Sequence, residues 1–144
     1  MTRRQITIIL RAIGAAVLSL VFVSILVVVV FNNYNSRRID LLNKIVLAEN
    51  AYYKLNGKYA DLETLTADMY ISSDEINTSG YVSLHIIEGT LIDTWWAIAG
   101  PQHPMQGNIY YINGSGYRVY SILPFHLKID KATGLPPSNI KNTW

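Results

Sequence analysis

A chain of 144 residues, half of them apolar, has room for one core of ordinary size. With no cysteine it can form neither a disulfide nor a thiolate metal site. A formal net charge of +2, with no basic patch legible in the residue order, gives no ground for a nucleic-acid partner.

Residues 1–11 carry Arg3, Arg4 and Arg11 and form a cytoplasmic N-terminal segment or a leader. They precede an uncharged run from Ala12 to Phe31 that is rich in Val, Ile and Leu. At a helical rise of about 1.5 Å per residue, this run spans roughly the 30 Å of a bilayer's hydrocarbon, so residues 12–31 are expected to be a transmembrane helix. A cleaved secretory signal would have a shorter apolar part, about 7–15 residues, and then a small-x-small site. Phe31-Asn32-Asn33-Tyr34 offers no such site. Arg37, Arg38 and Lys44 follow the run, so the flanking positive charges are nearly balanced. Asp40 and Glu49 offset part of the later cluster, which favours a cytoplasmic N-terminus and a head on the far side.

Residues 32–57 are expected to continue the helix, with a bend or fraying at Asn32-Asn33-Tyr34-Asn35-Ser36, where weak helix formers meet the water interface. Leu41, Ile45, Ala48, Tyr52 and Leu55 recur at alternating spacings of four and three and make one apolar stripe. Ile39, Leu42, Val46 and Tyr53 widen it to an arc of roughly 200°. Part of that arc is expected to pack on a sheet and part on neighbouring subunits. Glu49 falls inside the arc, where a bare carboxylate is costly, and so is expected to have a partner or to reach solvent. The helix should stop at Asn56-Gly57, because glycine adopts the left-handed conformation that closes a last turn.

Residues 58–80 read as a connecting loop, with Asp61 able to cap a brief helical turn. From residue 81 to 144 the pattern is that of strands and turns. Tyr81 to Glu88 turns at Glu88-Gly89 into Thr90 to Ala99, and Gly100 to Pro104 is a loop. Asn108 to Ile112 and Tyr117 to Leu123 flank the hairpin signal Asn113-Gly114-Ser115-Gly116. A short strand over Phe125 to Asp130 precedes the turn Lys131-Ala132-Thr133-Gly134 and a tail from Pro136-Pro137. The fold class is therefore α+β: a long helix, half transmembrane and half amphipathic, packed on a small antiparallel sheet.

The end of the amphipathic helix, Tyr52, Tyr53, Asn56, Gly57 and Tyr59, followed by Leu62 and Leu65, resembles type IV pilins and type II secretion pseudopilins. The resemblance implies a pilin-like subunit held in the bacterial inner membrane by a single span, with its β-domain periplasmic or extracellular. It also implies partners: other pilin-like subunits and an inner-membrane assembly machine that extracts the chain into a filament. Arg11-Ala12-Ile13-Gly14 is similar to the end of a precursor leader and marks Gly14 and Ala15 as a leader cleavage site. Ala15 stands where the family has Phe and Ser19 where it has Glu, which points to a minor or atypical subunit. In such a filament Val17, Leu18, Val21, Leu26, Leu41, Ile45, Ala48, Tyr52 and Leu55 would carry helix packing.

No residue pattern announces catalysis, a cofactor or a metal site. His85, His103 and His126 lack partners at metal-ligand spacing. Ser115 is better explained by a hairpin than as a nucleophile. Asp130 and Thr133 offer too few oxygens for calcium and read as a turn. Trp95-Trp96 and Tyr110-Tyr111 should each send one ring to the core and one outward, the outward set being an interaction surface. The sequence thus supports a filament subunit, with a single-pass anchored binding module that does not polymerise as the alternative.

Overall fold

The structure is a computed structural model that describes residues 3–88, 94–103, 107–122, 129–130, 133–136 and 144. Helix α1 runs from Arg3 to Asn56 without a break. At about 1.5 Å per residue it is about 80 Å long. One glycine, Gly14, and no proline falls within it, so nothing interrupts its hydrogen-bond ladder. The fraying that the sequence allows at residues 32–36 does not occur, since the helix continues through them with Tyr34 and Asn35 half-buried. The helix ends where Gly57 takes φ +69 and its N–H donates to the Tyr53 carbonyl at 2.8 Å.

The stretch expected to be a connecting loop contains two short helices, α2 (Leu62–Ala67) and α3 (Ser73–Ser79). Asp61 caps α2, its carboxylate accepting from Thr64 N at 2.8 Å. Ser72 and Glu75 form a reciprocal capping box on α3. Each helix inserts a side chain into the seam beside α1: Leu65 is fully buried and Ile76 half-buried in the main core.

Four strands follow: β1 (Tyr81–Ile87), β2 (Thr94–Gly100), β3 (Ile109–Asn113) and β4 (Arg118–Ser121). They pair antiparallel in the order β1-β2-β3-β4, the expected meander. The β3–β4 turn closes on Asn113, whose Oδ1 accepts from Ser115 Oγ and Tyr117 N. Ser115 is a turn residue here. Residues 90–93 of the second expected strand and 125–128 of the last lie outside the described residues, while Ile129 and Asp130 are not in a strand.

Register fixes which side chains meet the helix. Ala97 lies opposite Leu84 and Ile112, and Ala99 opposite Val82 and Tyr110; this face receives Leu41, Leu42, Ile45 and Ala48 of α1. The small Ala97 and Ala99 let α1 approach, and Trp95 closes the core beside them. Each fully buried Leu or Ile contributes about 1.5–3 kcal/mol, so these positions account for much of the docking of α1.

The other face is not bare, contrary to the expectation of outward aromatics. Trp96, Tyr111 and Val119 are buried there, packed with Ile87, Ile98, Ile109 and Ile129. Gly134 lies over them at φ +64, and the Tyr111 hydroxyl donates to its carbonyl. A Cβ at Gly134 would stand 2.5 Å from Trp96 Cδ1 and 2.8 Å from Ile87 Cδ1. Gly134→Val should therefore destabilise the head by about 2 kcal/mol or more, read as a lower denaturation midpoint by tryptophan fluorescence. Trp144 closes the β3–β4 end: its Nε1 donates to the carbonyls of Tyr111 at 3.2 Å and Val119 at 3.0 Å.

Candidate functional site

The site follows from how α1 is divided. From Ile6 to Val30 its large apolar side chains are exposed, Val17, Leu18, Val21 and Leu26 among them. One helix near the N-terminus is thus long and apolar enough to span a membrane. Gly14 and Ala15 lie within this exposed helical stretch, and the space around Gly14 is open.

Beyond residue 34 the same helix meets the head. Leu41, Ile45 and Ala48, expected to pack between helices, are instead buried against the protein's own sheet. Tyr52 is half-buried, its ring edge-on to Tyr70 at 6.0 Å. Leu55 departs from its place in the apolar stripe and is 76% exposed, because the head no longer covers α1 at its last turn. Helical spacing puts Leu47, Ala51 and Leu55 on one outward stripe, and Leu47 is 69% exposed.

Two polar groups lock α1 to the head. The first is Arg38, which the sequence places in a basic flank but the fold buries completely. Its Nε donates to Ser79 O at 2.9 Å and an Nη to Asn108 O at 3.3 Å, which ties α1 to the end of α3 and the start of β3. One turn earlier, Asn35 Oδ1 accepts from Asn108 N at 2.9 Å. Burial lowers the Arg38 proton affinity from its ordinary value, opposed by the hydroxyls of Tyr110 and Tyr34. The legible signal was position: Arg38 precedes Leu41 and Leu42 by three and four residues and so lies in the middle of the buried arc.

The second is Glu49, also fully buried, whose Oε2 accepts from Ala60 N at 3.1 Å. Burial pushes its carboxyl up to about 7; the Ala60 bond opposes this and Asp61 adds to it. The family-like residues surround this joint. Asn56 Nδ2 donates to the Tyr52 carbonyl at 3.1 Å, Gly57 ends the helix, and Tyr53 stacks on Tyr59 at 4.7 Å. Tyr53 remains exposed, so the motif forms the turn that joins α1 to the segment that follows.

Elsewhere, His85 is exposed, stacked on Trp96 at 4.1 Å and hydrogen-bonded to Ser83 Oγ. His103 is exposed, and His126 lies outside the described residues. Asp130 Oδ2 accepts from Thr133 Oγ1 at 2.9 Å within a turn closed by Gly134 N on Asp130 O. Among the described residues no three His, Asp or Glu side chains converge. Comparison with protein-family models, curated proteins and solved structures returns no match.

Proposed function

We propose that this chain is a membrane-anchored structural subunit of the pilin-like kind, minor or atypical, that assembles through α1. The observation that carries the reading is the division of one unbroken helix: a bare apolar half, then a half buried by a four-stranded head that leaves Leu47 and Leu55 uncovered. Such a helix sits in a bilayer before assembly and against other helices after it. The anchor belongs in a bacterial inner membrane as a single span, with the head outside and an assembly machine as partner. Ala15 and Ser19 leave residues 12–31 without an acidic group, which fits an atypical subunit.

A non-polymerising anchored module is the second reading, favoured by the burial of Leu41, Leu42, Ile45 and Ala48 within the monomer. Cysteine crosslinking separates the two, because the chain has no cysteine of its own. A filament subunit forms crosslinks between unlike positions of α1 in neighbouring copies; a monomeric anchor forms none.

A further inference from the structure

Glu49 occupies a position that hydrophobic packing would fill better with an apolar side chain. Its carboxyl group is enclosed between α1 and segment 57–61 and has one hydrogen bond, from Ala60 N. Its Oε1 has no hydrogen-bond partner among the described residues. Among those residues no cation compensates it either. Lys44 and Lys54 lie across α1 by helical spacing, and Lys44 is paired with Glu75 of α3. On the packed elements, Lys58 and the α2 residue Glu63 are exposed, and the charge that acts on Glu49 is the like charge of Asp61. The remaining titratable groups of the joint, Tyr52, Tyr59 and Tyr70, pack into the core cluster.

We propose that protonation of Glu49 controls the docking of segment 57–61 on α1, the neutral acid holding the segment closed and the carboxylate lifting it toward water. An ionised carboxylate accepts the Ala60 N–H more strongly than a neutral one, but the loss of solvation outweighs that gain. The sign follows from linkage. The buried group titrates at about 7 and the hydrated one at its ordinary 4.5. Below about pH 4.5 both states hold the proton and docking is strongest. As pH rises from there to about 7, the open state loses its proton first and docking weakens; above about 7 the loss is complete. Lifting the segment parts Tyr59 from Tyr53 and frees the end of α1 beside Leu55, so the head responds to the pH of the compartment that holds it.

Amide hydrogen exchange on the full chain in detergent micelles tests this. After correction for intrinsic exchange, protection of the Ala60 amide should fall about 70-fold from pH 5 to pH 8, while amides of β2 and β3 hold theirs. Glu49→Gln should abolish that fall. Protection independent of pH in the native chain, or the same fall in the variant, overturns the proposal. Should the variant fail to fold, carbon-13 titration of the native Glu49 carboxyl decides: a midpoint above about 6 supports the proposal and one below it overturns it.

Discussion

Arg38→Met should lower the stability of the head by about 3 kcal/mol or more, seen as an earlier denaturant midpoint in the fluorescence of Trp95 and Trp96. Methionine keeps most of the side-chain length, so the variant isolates the polar loss from a packing loss. What is lost is the guanidinium that satisfies Ser79 O and Asn108 O, two carbonyls on residues that are themselves buried. Leaving a buried acceptor unmet costs about 1–3 kcal/mol each. Relief from desolvating the guanidinium offsets part of this, but two orphaned carbonyls outweigh it. Arg37→Met is the control. Arg37 is exposed, and its replacement should change stability by no more than about 0.5 kcal/mol. Equal midpoints for the two variants would refute the account of Arg38 as the lock between helix and head.

The second large effect concerns the bare half of α1. Val21→Asp combined with Ile25→Asp should release the chain from membranes, measured as its shift from pellet to supernatant on alkaline extraction. The Val, Ile, Leu and Phe residues of 12–31 number 14 and together favour insertion by about 4–8 kcal/mol. Two aspartates near the centre cost about 5–7 kcal/mol, which cancels that preference. Leu47→Asp with Leu55→Asp adds the same two charges to the exposed part of the head and should leave the chain in the pellet. If the first variant stayed in the pellet like the second, residues 12–31 would not be what holds the chain to the bilayer.

Separation along the chain decides which parts of the molecule are legible in its sequence. The end of α1 at Gly57, the cap at Asp61 and the hairpin at Asn113 to Gly116 are local. Residues within four positions of each other make their bonds, so their order is sufficient. The meander follows from short turns between β-branched runs. Helix α3 escapes a reading by pattern although Ser72 and Glu75 stand at capping-box spacing, because Ser73 to Ser79 offers one large apolar residue, Ile76, and hence no periodicity. Arg38 and Glu49 can be placed on the buried arc by counting, but their partners cannot. Ser79 and Asn108 are 41 and 70 residues from Arg38, and Ala60 meets Glu49 only because Gly57 reverses the chain. Strand alternation correctly puts Trp95 and Trp96 on opposite faces. That both faces are covered depends on Ile129 and Gly134 lying over Trp96 and Tyr111, which alternation does not encode.

Leu55 marks another limit of pattern reading. It continues the stripe of Leu41, Ile45 and Ala48, yet only the first three have a sheet beneath them. Of the residues proposed for helix packing, Val17, Leu18, Val21, Leu26 and Leu55 are exposed, and Leu47 is exposed as well. Width then restricts how copies can meet. In the filament proposed here many copies pack side by side, and heads of four strands at about 4.8 Å, roughly twice the 8–10 Å spacing of packed helices, favour a stagger along α1.

That stagger gives the most direct test. Two populations, one Leu26→Cys and one Leu47→Cys, are expressed together and oxidised in the intact envelope. Copies confined to one membrane plane at equal depth bring equal residue numbers together, so each variant crosslinks only to another copy of itself. The assembled subunit proposed here predicts the mixed dimer, a disulfide joining the Leu26→Cys variant to the Leu47→Cys variant, because stagger sets the head stripe of one copy beside the bare apolar segment of another. Monomers alone, or dimers of like variants alone, would contradict it.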